Sequence, residues 1–202
     1  MRYTGPKARL CRREGINLFS SDKYDKIMQR RNSTPGAKTA ARPKKLSEFG
    51  RQLREKQKAK RIYGVTEKQF RKYFAKAAAS KMVTGDRLLQ LLELRLDSAI
   101  ARAGFAHTRP QARQFVSHGQ FLVNGRRVNV PSFSLREGDV ITVRDRFEGN
   151  DIFLDLESRQ KFVPKWLKVD TKKKTITVVR LPEGDELEAS IMVPLIVEFY
   201  SR

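Results

Sequence analysis

Between Asp86 and Gly104, Leu88, Leu92, Leu96, Ala99, Ile100 and Ala103 recur at spacings of three and four, laying one apolar stripe along a predicted helix. A second helix opens next. Thr108 and Gln111 have capping-box spacing, while Pro110 disfavours helical geometry at Arg109, so the cap falls on Thr108 or one residue later. Ala112, Phe115 and Val116 form its buried side, Arg109 and Arg113 share another face one turn apart, and His118-Gly119 ends it. The pattern then switches to FLV-Asn124-Gly125-Arg126-Arg127-Val128, two short strands about an Asn-Gly turn.

Upstream, a helix is predicted from Ser47 to a stop at Gly64, anchored by Phe49, Leu53 and Ile62. Thr66 and Gln69 make another capping box, opening a helix in which Phe70, Tyr73, Phe74, Ala77 and Ala78 read as core rather than as base-stacking residues. Ser80 to Gly85 is a loop. Downstream of the hairpin, Glu137-Gly138-Asp139 turns into a strand from Val140 to Val143, which completes a small sheet. Residues 144 to 161, with Ile152, Phe153, Leu154 and Leu156, have no assignable periodicity. Trp166 to Val169 and Thr175 to Val179 alternate as paired strands around Thr171 to Lys174, and Pro182 to Glu188 is an acidic loop. The tail IMVPLIVEFYSR is too apolar to be free and must dock; Pro194 starts or ends whatever it forms.

Residues 1 to 45 differ in kind. Apolar positions are scarce among their lysines and arginines, so the arm is expected to stay irregular until it meets a partner. Tyr3, Phe19 and Tyr24 either stack on bases or pin the arm to its own domain.

Charge sharpens this division. Of a formal net +21, residues 1 to 84 carry +18 (24 basic, 6 acidic), residues 85 to 130 carry +4 (7 and 3), and residues 131 to 202 carry −1 (12 and 13). Such polarity attracts phosphate backbones. No amphipathic helix sets Trp, Phe and Leu against lysines, no apolar run reaches membrane length, and the first residues lack a signal-peptide pattern, so a cytosolic nucleic-acid binder is expected. Arg109, Arg113, Arg126 and Arg127 find too few carboxylates in their own segment, and the cations of residues 51 to 61 have only Glu48 and Glu55 nearby; both sets are read as facing external anions.

Catalysis finds no support. Glycine-rich phosphate loops and HExxH are absent, and Cys11 alone makes neither a disulfide nor a cysteine zinc site. His107 and His118 lack companions for a relay or a metal; His118 is equally a helix-end RNA contact or a plain cap. Asp151, Asp155 and Glu157 read as solvated acidic surface. No cofactor and no homo-oligomer is expected.

The segments RYTGPKARLCRREG, QLREKQKAKRIYGVTEKQFRKYF, LLQLLELRLDSAIARAGFAHTRPQARQFVSHGQFLVNGRRVNV, EGDVITVRD, VPKWLKVD and LIVEFYSR resemble, nearly end to end, the S four family of small-subunit ribosomal proteins. That resemblance implies an α+β fold. A basic extended arm (1–45) precedes a helical domain (46–85, rejoined by 182–202). A mixed domain (86–181) is inserted before the returning segment and contains a helix-helix-hairpin RNA-binding module at 86–165. LIVEFYSR becomes a helix. The implied function is a structural, non-enzymatic one: primary binding of small-subunit ribosomal RNA during assembly, part of the messenger entry channel, and an influence on decoding accuracy, beside small-subunit proteins five and three. A free RNA chaperone or stress protein using the same module is the alternative. RNA contact is implied for Arg109, Arg113, His118, Asn124, Arg126 and Arg127, and for Arg51, Arg54, Lys56, Lys58, Arg61, Tyr63 and Gly64. Arg2, Tyr3, Lys7, Arg9, Arg12, Arg13, Lys44 and Lys45 of the arm, with Lys68, Arg71 and Arg87, complete the set. Two departures stand out: Cys11 cannot replace the four zinc-binding cysteines of some members, and Pro35-Gly36-Ala37-Lys38 replaces a common Pro-Gly-Gln-His-Gly turn.

Overall fold

Pro6 and Gly15 bracket the first helix, α1 (Lys7–Glu14), with Gly15 at φ +73° donating its N–H to the Cys11 carbonyl. The computed structural model describes residues 3–31, 33–36, 45–154, 156 and 163–201; Arg2, Ala37, Lys38, Lys44, Asp155 and Glu157, named above, lie outside them. A second helix, α2 (Asp22–Arg30), follows, so the expectation of an irregular arm is corrected. The physical reason is local burial. Cys11, Leu18 and Phe19 are buried, Phe19 and Tyr24 make a tilted ring pair at 5.5 Å, and the sparse apolar residues suffice once Glu14 pairs with Arg54 and Arg61. Phe19 and Tyr24 pack against each other within the arm.

Ser47 accepts from the Gly50 N–H at the start of α3 (Glu48–Ile62), and Thr66 accepts from the Gln69 N–H at the start of α4 (Glu67–Ala78). The α3 stripe departs from the predicted anchors. Gln52, Lys56, Ala59 and Ile62 are its buried residues, while Phe49 is half exposed, its ring centroid 5.5 Å from that of Phe199. Two polar residues are buried because the last helix, α9 (Val193–Tyr200), brings them partners: Gln52 donates to Glu198, and the Lys56 ammonium lies 4.5 Å from the Phe199 ring centroid. Pro194 occupies the first turn of α9 and so starts the helix. These elements, with α4 only as far as Lys72, belong to one compact unit, Met1–Lys72 with Ser190–Arg202.

The second unit, Tyr73–Ala189, begins within α4 and continues through α5 (Thr84–Glu93), α6 (Leu96–Arg102), α7 (Arg109–Ser117), β1 (Phe121–Val123), β2 (Arg126–Arg127) and β3 (Val140–Val143). A single turn, α8 (Asp151–Leu154), precedes β4 (Leu167–Asp170) and β5 (Thr175–Val178). The helix predicted from Asp86 to Gly104 is two helices. At the break Arg95 is extended (φ −72°, ψ 140°), because the backbone there is claimed by another segment: Leu96 N–H donates to Phe133 O, Leu135 N–H to Leu94 O, and Arg95 bridges Ser134. The stripe survives the break, with Leu88, Leu92, Leu96, Ala99, Ile100 and Ala103 all buried.

The sheet has order β2-β1-β3-β5-β4, every neighbouring pair antiparallel. Leu122 pairs with Arg127 and Thr142, and Ile141 pairs with Val123 and Ile176, so one face collects Phe121, Val123, Ile141, Val143, Ile176 and Val178 in the core. Ala99, Ile100, Ala103, Ala112 and Val116 of α6 and α7 join that core. Phe153 fills its end, edge-on to Phe115 and Phe121, which gives the unassigned stretch after Val143 a packing role. Burial is therefore concentrated under α7 and the hairpin, the two elements that carry the module's arginines.

Candidate nucleic-acid interface

Two sets of cations sit on this second unit, at opposite ends of α7. At its start the arginines are held by carboxylates. Glu93 is completely buried at the end of α5; its side chain accepts from Ser98 Oγ at 2.9 Å, from Arg102 Nη2 at 2.8 Å and from Arg109 Nη2 at 3.1 Å. Glu188 accepts from the same two nitrogens, at 3.1 and 3.0 Å. Beside them Arg95, also buried, makes a two-point contact with Asp97 (3.0 and 2.6 Å) and donates to Tyr73 Oη at 2.9 Å, while Arg113 Nη1 reaches Asp97 Oδ2 at 3.2 Å. Burial by itself lowers the Arg95 pKa, but Asp97 and Tyr73 reverse this and hold it above its ordinary value. The expectation that Arg109 and Arg113 lack carboxylate partners is thus corrected. The break at Arg95 turns Glu93 and Asp97 toward α7, and Glu188 arrives from a stretch of chain far along the sequence.

At the far end of α7 the environment is different. Thr108 Oγ1 caps the start, accepting from Gln111 N–H, while Gln111 Oε1 accepts from the His107 N–H instead of the cap's own. His118 is the exposed C-terminal cap, and Gly119 follows at φ +66°. The Arg127 guanidinium lies over Gly119, whose carbonyl accepts from Arg144 Nη1 at 3.0 Å. Cations at a helix C-terminus are favoured by its exposed carbonyls and partial negative charge. Among the described residues Arg126, Arg127 and Arg144 have no ion-pair partner. Arg144, stacked 5.8 Å from the Phe147 ring, was missed by sequence reasoning because its strand neighbours gave no reason to group it with the hairpin.

Asn124 and Gly125, at φ +50° and +75°, form the tight turn between β1 and β2. Asn124 is exposed but occupied: its Oδ1 accepts from Val140 N–H at 2.9 Å and its Nδ2 donates to Asp139 at 2.8 Å. Its side chain ties the hairpin to β3.

In the helical unit the basic face is less free than its sequence suggested. Arg54 and Arg61 share Glu14, whose side chain is nearly buried; Lys58 pairs with Glu55 and Arg51 with Glu48. Lys56 and Lys60 each contact one oxygen of Glu67 at 3.1 Å, and Tyr200 Oη donates to the first at 2.8 Å. Glu14 and Glu67 come from neighbouring helices, which is why counting carboxylates along α3 alone underestimated its neutralisation. Burial pushes the Glu67 carboxyl up, yet hydrogen bonds from Tyr200, Lys56 and Lys60 outweigh it and hold the pKa below the usual carboxylate range. For Tyr200, burial and then the bond to Glu67 raise the phenol pKa, keeping it a donor. Burial likewise pushes the Cys11 thiol up, so it is protonated at neutral pH.

Two residues with implied RNA contacts are engaged within this unit: the Lys56 side chain meets Glu67 and the Phe199 ring, and Tyr63 is 3% exposed. Gly64 is exposed at φ +59°, Lys45, Lys68 and Arg71 are exposed, and Arg87 donates to Gln90. In the arm, Tyr3 and Arg9 are exposed, Lys7 lies 5.2 Å from the Phe19 centroid, Arg12 donates to Ser33, and Arg13 to the Pro35 carbonyl. Among the described residues no group of acidic, histidine or cysteine side chains could hold a metal ion, and no helix is long and apolar enough to cross a membrane.

Two family models match the chain. A family model described as the ribosomal protein S4/S9 N-terminal domain matches residues 2–93, and one described as the S4 domain matches residues 94–141. The small ribosomal subunit protein uS4 of Desulfitobacterium hafniense is 47% identical over 208 residues, covering 100% of this chain and 99% of the relative. That of Dictyoglomus thermophilum is 49% identical over 211 residues with the same coverage. Protein uS4A of Symbiobacterium thermophilum is 47% identical over 205 residues, again with the same coverage. The chain belongs to the uS4 family of small ribosomal subunit proteins.

Proposed function

We propose that this chain is a structural, non-enzymatic component of the small ribosomal subunit in the cytoplasm, and that it holds ribosomal RNA with two surfaces. The observation that carries the reading is the corner at the end of α7, where Arg127 and Arg144, without an ion-pair partner among the described residues, converge on Gly119 near exposed His118, with Arg126 beside Arg127 on β2. Guanidinium forks fixed by a buried core suit phosphate, and their spacing selects RNA shape rather than base sequence. The exposed cations of the helical unit and arm, among them Arg9, Lys45, Lys68 and Arg71, add non-specific attraction.

Early binding that nucleates subunit assembly, a share in the messenger entry channel, contacts with small-subunit proteins five and three, and an effect on decoding accuracy belong to the same proposal and rest on family membership. The test is RNA affinity as a function of salt. Neutralising about ten phosphates makes log affinity fall against log salt with a slope of roughly −7 to −9. Arg126→Ala with Arg127→Ala weakens binding, and the protein sediments stoichiometrically with the small subunit at high salt. A flat salt dependence overturns the proposal; steep RNA binding without subunit association makes the protein a free RNA chaperone instead.

A further inference from the structure

Arg102 and Arg109 present a geometry that neither the sequence pattern nor the relatives point to. Both guanidiniums touch Glu93 and Glu188, and the two carboxylates are not equivalent. Glu93 is fixed on α5 with its side chain at 0% exposure, whereas Glu188 lies just after the 3-10 turn Gly184–Glu186 with its side chain 20% exposed. Ser98 Oγ adds a hydroxyl at 2.9 Å from Glu93 and 3.4 Å from Arg109 Nε. The buried carboxylate therefore sets the two arginine heads, and the loop carboxylate fills the outer position that they create.

We infer that the Arg102–Arg109 pair is a phosphodiester-binding site, occupied in the free protein by Glu188 acting as an internal substitute for an RNA phosphate. A carboxylate and a phosphodiester each offer two anionic oxygens to paired guanidiniums. With Glu188 in place the four charges cancel; with it displaced, the arginines keep one unit of positive charge and remain oriented by Glu93 and Ser98. The loop carboxylate is the partner that can leave, because its side chain keeps some contact with solvent while that of Glu93 has none, and uncovering Glu93 would strand a fully buried charge. The device favours RNA able to deliver a phosphate to this point over RNA bound only by the arm's diffuse charge.

The inference rests on the RNA-binding reading, and its experiment separates the two. Binding of a small-subunit RNA fragment is followed by filter retention across a salt series for the parent, Glu188→Gln and Asp185→Asn. Asp185 is an exposed acid of the same loop with no ion pair among the described residues, so its replacement matches the change in net charge. Glu188→Gln binds at least about two- to fivefold more tightly at low salt, the gain that losing even a weak ion pair allows, and its salt slope is steeper; Asp185→Asn changes little. Arg102→Gln in the parent weakens binding and, combined with Glu188→Gln, abolishes the gain. Equal gains for Asp185→Asn and Glu188→Gln reduce the effect to net charge and overturn the inference, as does unchanged or weaker binding by a folded Glu188→Gln. So does a gain confined to inorganic phosphate, measured by calorimetry. Should Glu188→Gln fail to fold, the Arg102→Gln arm decides, and undiminished RNA affinity there also overturns the site. A parent with no salt-dependent RNA binding overturns the functional reading itself.

Discussion

The Arg127 guanidinium lies over Gly119 so closely that a β-carbon added there would come within 2.5 Å of Nε. Gly119 is thus required twice, once for its left-handed backbone at φ +66° and once as the floor beneath an arginine. Gly119→Ala is expected to cost roughly 1–2 kcal/mol of stability from the backbone alone, since the flexible arginine can swing aside. Its larger effect falls on RNA affinity, because the displaced guanidinium no longer points from the end of α7. The check is a double-mutant cycle: in an Arg127→Ala background, Gly119→Ala keeps its stability cost and loses its effect on binding.

Arg109 and Arg113 each hold a carboxylate of the second unit. Arg109→Ala removes one donor from fully buried Glu93, to which Arg102 and Ser98 still donate, at a cost of about 1–3 kcal/mol. Arg113→Ala is milder, because Asp97 keeps its two-point contact with Arg95. Urea unfolding of the two single variants should show that order. Equal stability of Arg109→Ala and the parent would restore the view, natural from the sequence, that these arginines face only an external anion.

Much of the second unit was legible in the sequence because its burial follows periodicity. The apolar stripe from Leu88 to Ala103, the Thr108 cap, the Asn124-Gly125 turn and the strand Val140–Val143 all obey local rules that their own side chains state. What escaped was decided by partners distant along the chain. Nothing near Arg95 announces that residues 131 to 135 will pair with its backbone, and nothing near Lys56 announces Glu67 and Phe199. The arm failed for the same reason: Cys11, Leu18 and Phe19 are too few to make a stripe, but enough to fold two short helices once Glu14 meets Arg54 and Arg61. For the candidate site, residue types were readable and charge balance was not, since Glu93 and Asp97 were visible and their direction was not.

Asn124 illustrates a residue whose side chain already has a task. Asn124→Gly preserves the left-handed turn and removes the bonds to Val140 and Asp139, so it should cost about 1 kcal/mol or somewhat more. Asn124→Ala loses the bonds and adds backbone strain of roughly 1 kcal/mol. Amide exchange on β1 and β3 would show the loosening in the same order, Ala above Gly above parent. A variant that weakens RNA binding with no change in exchange would return Asn124 to the direct contacts.

Acid stability offers a test of the Glu67 cluster. The carboxyl pKa is held below its ordinary value in the folded chain, so the contribution is fully present above the unfolded pKa and is lost as pH falls through the lower, folded one. Glu67→Gln should therefore be less stable than the parent near neutral pH, with the gap closing on acidification from about pH 5 to about pH 3. Solvent reaches this side chain, which is 40% exposed, so the gap is modest. Tyr200→Phe removes one of the donors and should give a smaller gap of the same sign, closing over the same acid window because the phenol itself stays protonated there. Lys56→Met separates charge from packing: it keeps a buried stem against Phe199 while removing one bond to Glu67, and should shift the Glu67 titration upward. Denaturant midpoints across that pH range, with the Glu67 carboxyl followed by NMR, decide the matter. A gap between parent and Glu67→Gln that is constant down to pH 3 would mean the cluster acts through shape rather than charge.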